Sequence, residues 1–485
     1  VYARLSIFVE YNDEFEQNLS TLTSFLESNQ DAMKSIKRVA FHIHFDLEKK
    51  WTKASESEKE ALSKFLQNLS STMADRVEEC SIINKYDMDT IYITDKEELG
   101  KLGKEIEKDF SDWPNLKILD YSENFIRFFP GVKFPDALEI LQIGGGYSLE
   151  TLGGFKMPPK LRILNALKGA ITSIDNVVFP STLERLDLMD NKIYFLNQVQ
   201  FPIRLLSLDL LQNRIESLRG VMFPRNLQLL LLAANPIEHI KGLKFPDNLK
   251  YLDVSYIPNE LMTGVKFPDL LTHLNLEQLM TNTRGLKLPL RTISLNLSKD
   301  GVNSINPLKL PNLLQVLHLG QNNIKTLNKV QFPYNLRELY LGDNLITTLK
   351  NVHFPETLQV LDISMGPEWE DNDKYLTTLK DIAFPSNLRK LNFYGHKIKS
   401  LENIEFPVFL EELCLANNGL KVIRNVRLGN NLKILDLSEN NDLLGVDMLI
   451  VPNSVKILQV AEHQVGNLPG YLIERANKFD LQIKV

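Results

Sequence analysis

The residues best placed to do chemistry in this chain are carboxylates that recur at one position of a short motif. Asp120, Asp187, Asp209, Asp253, Asp362 and Asp436 each close a copy of L-x-x-L-D. Stacked in register they would form an acidic stripe that attracts a basic protein partner and speeds its approach. The alternative is a set of solvated filler residues, since like charges about 4.8 Å apart on neighbouring strands repel. The same column carries Asn275, Tyr340 and Cys414, and the column two residues earlier carries Tyr251, His273, Glu338, Lys390 and Glu412. Other groupings are weaker. His42 and His44 share one face of an expected strand, as metal ligands would, but no third ligand accompanies them. Cys414 has His396 one repeat earlier, and a Cys-His nucleophile needs a contact that this spacing does not give. Gly144-Gly145-Gly146 is a lone triplet without the rest of a phosphate-binding loop. No catalytic, cofactor-binding or metal-ligating residue is assigned, and a non-enzymatic protein is expected.

A strict period positions the column. Phe179-Pro180, Phe201-Pro202, Phe223-Pro224, Phe245-Pro246 and Phe267-Pro268 mark consecutive units of 22 residues, and the register continues to Phe406-Pro407. About sixteen units fill 113–468, each written F-P-x-x-L-x-x-L-x-L-x-x-N-x-I-x-x-L-x-x-V-x. Alternate leucines of L-x-x-L-x-L point inward from a strand, and the residues between them face solvent. The asparagine turns the chain and bonds backbone groups left unpaired there. Proline ends each back segment, because it has no N–H to continue a ladder. So short a unit leaves room only for extended or 3₁₀-like backing. The expected fold is an α/β solenoid, a curved horseshoe with a parallel sheet on its concave side. The asparagine column breaks at Gly146 and Gly169, and again at Ile257, Leu279 and Asp300. Such a run of breaks would loosen the stack or open a binding feature, unless it is drift of the repeat.

Residues 1–112 lack this period. Leu5 to Glu10, Arg38 to Phe45 and Thr90 to Thr94 have strand character, and Phe15, Leu19, Leu22 and Leu26 fall on one helical face. Leu62, Phe65, Leu66, Leu69 and Met73 form a second face, opened by the capping pair Ser55 and Glu58. Longer, helix-backed repeats are expected here, and 469–485 is expected to be a C-terminal cap. One interval stretches to 30 residues through an insertion near Gly366 to Tyr375, which carries Trp369, Glu370 and Asp371. Trp is favoured at interface hot spots, so this loop is a candidate contact, the alternative being a Trp369 packed back on the coil. The candidate partner-binding set is Asp187, Asp209, Asp253, His273, Asn275, Tyr340, Asp362, Trp369, Glu370, Asp371, Tyr394 and Glu412.

Bulk properties narrow the partners. A net charge of −6 and a pI of 5.9 argue against a general nucleic-acid binder. No apolar run approaches the roughly 18 residues that span a bilayer. Two cysteines, Cys80 and Cys414, with no terminal cluster, fit a reducing intracellular compartment.

The L-x-x-L-x-L-x-x-N units resemble the phosphatase-regulator type of leucine-rich repeat and the bacterial internalins. The Phe-Pro opening is closer to the FNIP repeats of amoebae and to fungal leucine-rich repeat proteins, several with an F-box. Val1-Tyr-Ala-Arg-Leu-Ser-Ile-Phe8, followed by helix-backed repeats, is similar to the segment after an F-box. These resemblances imply recognition of a protein partner. The concrete version is the substrate receptor of a ubiquitin ligase, joined to its adaptor through an F-box upstream of Val1. A structural scaffold subunit, or a regulator of a catalytic subunit such as a phosphatase, remains open beside it.

Overall fold

The computed structural model describes residues 4–11, 14–29, 38–45, 57–58, 60–61, 64–65, 77–84, 113–122, 133–145, 149–238, 243–257, 265–278, 286–366, 375–444 and 450–484. They fall into two compact units, Val1–Leu249 and Lys250–Val485. In the first unit three eight-residue strands, β1 (Arg4–Tyr11), β2 (Arg38–Phe45) and β3 (Val77–Asn84), precede six three-residue strands. These are β4 (Ile118–Asp120), β5 (Ile140–Gln142), β6 (Ile163–Asn165), β7 (Arg185–Asp187), β8 (Ser207–Asp209) and β9 (Leu229–Leu231). Each strand pairs in parallel with the next.

Helix α1 (Phe15–Ser28) links β1 to β2 and buries Phe15, Leu19, Thr23 and Leu26. Thr23 thus stands where the sequence suggests Leu22. Its hydroxyl donates to the Leu19 carbonyl at 2.8 Å, so its burial leaves no polar atom unpaired. β3 escapes a reading of apolar alternation for a local reason: the register slips between Val77 and Glu79, leaving Glu78 as the extra residue of a bulge. Thr90 to Thr94 and Gly146, and all of the second helical face except Glu58 and Phe65, lie outside the described residues. Phe65 is buried.

The second unit repeats one device throughout. Its strands are β10 (Tyr251–Asp253), β11 (His273–Asn275), β12 (Ser294–Asn296), β13 (Val316–His318), β14 (Glu338–Tyr340), β15 (Val360–Asp362), β16 (Lys390–Asn392), β17 (Ser400–Glu402), β18 (Glu412–Cys414), β19 (Val422–Arg424), β20 (Ile434–Asp436), β21 (Ile457–Gln459) and β22 (Gln482–Lys484). All but β17 and β19 belong to one parallel sheet, and those two pair with each other on the back of the coil. In the short strands of this sheet from β10 to β21 the middle residue is buried and its two neighbours are half-buried or exposed, while the middle residue of the last strand, Ile483 of β22, is half-buried. Helix α2 (Gly470–Asn477) precedes β22, which pairs with β21. The backing between strands is turn and extended chain, as the 22-residue spacing requires.

A buried amide ladder holds successive coils together. Oδ1 of Asn344 accepts from the Ile324 N–H at 3.1 Å, and its Nδ2 donates to Leu319 and Leu341 carbonyls at 2.8 Å each. Asn191, Asn213, Asn322, Asn418 and Asn440 make the same reach to the preceding coil. The breaks in the column are filled in different ways. A side chain at Gly169 would meet Asn191 Oδ1 at 2.5 Å, so glycine leaves space for the next rung. Asn322 Oδ1 takes both the Asp300 and Val302 N–H groups, at 3.0 and 2.9 Å. Ile257 is simply buried apolar packing, and Leu279 is not among the described residues.

His396 is the most informative substitute. Its Nδ1 accepts from the Leu376 N–H at 3.3 Å and its Nε2 lies 2.7 Å from the Ile363 carbonyl, the acceptor-donor pattern of the asparagine it replaces. This fixes a neutral ring with the proton on Nε2. At the other edge of the coil a second ladder runs behind the prolines. Asn226, Asn248, Asn335, Asn387 and Asn431 donate to carbonyls one coil back at 2.8–3.0 Å. The Phe-Pro phenylalanines stack beside it, Phe332 on Phe354 at 5.9 Å and Phe384 on Phe406 at 6.0 Å.

Two outcomes are expected. Asn344→Ala strands the Ile324 N–H and two carbonyls in the interior and lowers unfolding free energy by about 2–4 kcal/mol in denaturant titration. Burial pushes the His396 pKa down to about 4. An unfolded imidazole titrates near ~6.5, so stability is complete above that pH and falls as pH drops through about 4, by roughly 3 kcal/mol. His396→Asn, a neutral rung, melts with a smaller loss across that window, and parallel wild-type and variant curves would contradict this account.

Candidate partner-binding face

The acidic column has a local job first. Oδ1 of Asp187 accepts from the Met189 N–H at 3.0 Å and that of Asp209 from Leu211 at 3.0 Å. Asp253 accepts both the N–H and hydroxyl of Ser255, at 2.9 and 2.6 Å, and Asp362 does the same with Ser364 at 2.9 and 2.7 Å. The asparagines of the column, Asn165, Asn275, Asn296 and Asn392, make the same bond two residues on. An oxygen acceptor that locks the end of the strand therefore accounts for Asp and Asn alike, and for the absence of Lys and Arg. The six repeats without Asp or Asn here obey a complementary rule. Gln142, Leu231, His318, Tyr340, Cys414 and Gln459 are each followed two residues later by glycine or alanine: Gly144, Ala233, Gly320, Gly342, Ala416 and Ala461. A Cβ at Gly144 would sit 2.5 Å from the Leu167 carbonyl, so the unlocked turn there packs against the neighbouring coil.

The carboxylates of the column have different neighbours in the two units. In the second, Asn275 donates to Asp253 Oδ2 and Asn392 to Asp362 Oδ2, each at 3.0 Å, and the Cys414 thiol lies 3.7 Å from Asp436 Oδ2. In the first, Asp187 and Asp209 stand directly opposite each other on β7 and β8, and burial raises the Asp187 pKa.

Among the described residues, ring pairs on the strand face occur in the second unit. The Tyr251 ring stacks on His273 at 5.4 Å, and His318 on Tyr340 at 4.5 Å with planes 5° apart. The Tyr340 hydroxyl donates to Glu338 at 2.9 Å, and burial, then Glu338, push its pKa up to about 12. At the rim Tyr256 donates to Glu277 at 2.6 Å, and Lys299 reaches both at 2.8 and 2.9 Å. Burial opposes the Glu277 charge, but bonds from Tyr256, Lys299 and Asn296 outweigh it and lower its pKa. Glu412 pairs with Lys390 at 2.8 Å, and Asn417 lies 3.5 Å from the Tyr394 hydroxyl. A basic column one residue before the strands, missed by reading only two columns, is largely neutralised: Arg389 and Lys433 share Glu411, and Lys456 meets Asp480 at 2.6 Å.

Of the twelve candidate residues, Asp187 and Asp209 lie in the first unit and Asp253, His273, Asn275, Tyr340, Asp362, Tyr394 and Glu412 in the second. Trp369, Glu370 and Asp371 are outside the described residues. His318 and Glu338 belong with Tyr340 by contact, and paired rings at a 22-residue spacing were the signal for His318. Cys414 and His396 do not cooperate: both ring nitrogens of His396 are engaged by backbone, and burial pushes the Cys414 thiol up to about 12. His42 and His44 lie on β2. Among the described residues no cluster of His, Cys, Asp or Glu could hold a metal ion. No described helix is long and apolar enough to cross a membrane.

No family model matches the chain, and no curated protein matches it in sequence. Solved structures do. The circular LRR protein CroV588 is 17% identical over 94% of this chain and 66% of its own, with a TM-score of 0.52. Toll of Drosophila, in its complex with Spatzle, is 14% identical over 94% of this chain and 60% of its own, with a TM-score of 0.54. The effector YopM of Yersinia pestis is 18% identical over 70% of this chain and 89% of its own, with a TM-score of 0.47. The fold is a leucine-rich repeat solenoid. The chain spans only about two thirds of the length of the first two structures, and at these identities the likeness concerns architecture alone.

The turn-locking role separates from the charge by substitution. Asp362→Asn keeps the acceptor for Ser364 and loses only the bond from Asn392, so it should cost under about 0.5 kcal/mol, whereas Asp362→Ala, which loses both, should cost about 1 kcal/mol in the same denaturant titration. Equal losses would show that the carboxylate charge, not the turn bond, is what the fold uses.

Proposed function

We propose that the chain is a non-enzymatic protein-recognition module that binds its partner through the outer face of the strands in the second unit. The observation that carries this reading is the set of rings and carboxylates on that face, namely the exposed Tyr251 and His273 and the half-buried His318, Tyr340, Glu338 and Asp362. They point away from the leucine core, and their stacking and hydrogen bonds hold them in fixed positions. Rigid Tyr and His rings offer large contact area at little entropic cost, and preorganisation of this kind favours association. Toll, of the same fold, is captured in complex with Spatzle, a precedent for such a surface in recognition. Asp253, Asn275, Tyr394 and Glu412 extend the proposed face, with a basic partner surface as its complement. Asp187 and Asp209 form a lesser acidic site of the first unit. The substrate-receptor role, with an F-box preceding Val1, rests on resemblance alone, and so do the scaffold and phosphatase-regulator readings.

The test compares wild-type protein with a His273→Ala/Tyr340→Ala variant as bait in a quantitative pull-down. Loss of a discrete set of partners by the variant, at an unchanged melting temperature, is the expected result. Identical captured sets would remove this face from the account.

A further inference from the structure

The His318–Tyr340 stack has an arrangement that names the chemistry of its partner. Four consecutive positions in register across β12 to β15 read Asn296, His318, Tyr340, Asp362. Two rings lie in the middle, parallel and 4.5 Å apart, and a short side chain flanks each end. Strands are about 4.8 Å apart, close to the distance at which a flat group stacks on a ring. The outward face of Tyr340 therefore overlooks the shorter Asp362, and the outward face of His318 overlooks Asn296. Each end also has a carboxylate. Asp362 carries its own charge, with three of its acceptor sites filled by Ser364 and Asn392. Asn296 donates to Glu277 Oε2 at 3.2 Å, and Glu338 accepts the Tyr340 hydroxyl beside the stack.

A negative ring face above a carboxylate suits a planar cation. It offers cation–π attraction together with charge pairing, and a guanidinium can both lie flat on the ring and turn its N–H groups to an acid. A compact ammonium gains the charge term but not the stacking. The charges nearby leave room for it: Lys299 is committed to Glu277 and Tyr256, and Lys390 to Glu412. Resting on the reading of this face as a protein-recognition surface, we propose that the stack is an arginine-binding site, taking the guanidinium of a basic partner segment on the Tyr340 face between Glu338 and Asp362.

The probe is a fluorescein-labelled hexa-arginine peptide, with hexa-lysine for comparison, followed by fluorescence polarisation at low ionic strength with the full chain. Hexa-arginine should bind wild type more tightly than hexa-lysine. Tyr340→Ala should weaken hexa-arginine about 10-fold, and Tyr340→Phe, which keeps the ring, by less than about 3-fold. Asp362→Asn, which keeps the turn bond, should weaken it also, which guards against a Tyr340→Ala chain that fails to fold. Indifference of the two peptides to Tyr340→Ala and Asp362→Asn in folded protein, or equal binding of arginine and lysine, overturns the proposal. If hexa-arginine does not bind while the pull-down variant still loses its partners, only the arginine site falls. If hexa-arginine binds as described but no partner is lost, the site stands and the broader reading fails.

Discussion

Each coil of this solenoid buries a turn, and the backbone N–H and carbonyl groups at that turn have no strand to pair with. An unpaired buried peptide group costs roughly 1–3 kcal/mol, and the cost recurs with every coil. The asparagine ladder answers it with one neutral side chain that accepts from one backbone segment and donates to two others, spanning from its own coil to the one before. A charged residue would add a desolvation cost, and an aliphatic one would leave the groups bare. Few side chains combine acceptor and donor at that reach, yet the rung is also replaced outright, by the buried Ile257 and by Asp300, whose N–H is taken by Asn322. Other substitutes keep part of the device: glycine that makes room for the next amide, the neutral imidazole of His396, and Gln464, which donates to the Asn440 carbonyl at 2.7 Å from one position later.

Much of this was legible in the sequence because period and burial coincide. The 22-residue spacing located the short strands from β4 to β21 except β17 and β19, and L-x-x-L-x-L identified the buried leucines. Where sequence reading fell short, the cause was a polar atom with a partner that apolar patterning does not register. Thr23 replaces Leu22 on the buried face of α1 because its hydroxyl bonds a helix carbonyl. β3 was missed because the bulge at Glu78 breaks the alternation that marks a strand. The aspartates suggested an acidic stripe, but their partners are backbone N–H groups two residues on. The serines at Ser122, Ser255, Ser364 and Ser438, each two positions after an aspartate, carried that information.

The locking bond also decides where a binding surface can arise. Counted over both units, ten of the short strands from β4 to β21 end in Asp or Asn, and at those positions the side chain is committed to the turn. Only a repeat that closes its turn without that acceptor frees the column for another residue. His318 and Tyr340 occupy such repeats, with Gly320 and Gly342 two positions later. A Cβ at Gly342 would lie 3.1 Å from the Ser364 hydroxyl and 3.2 Å from its carbonyl, so the coil tightens there onto the next one. Two adjacent repeats have made this exchange together, and their rings stack as a result. The pair is then bounded by Asn296 on one side and Asp362 on the other, where the locked turn resumes. The open ring faces and the carboxylate beside them thus follow from the same requirement that fixes the fold: where the turn is locked the column is short and polar, and where it is released a ring can rise above its neighbours.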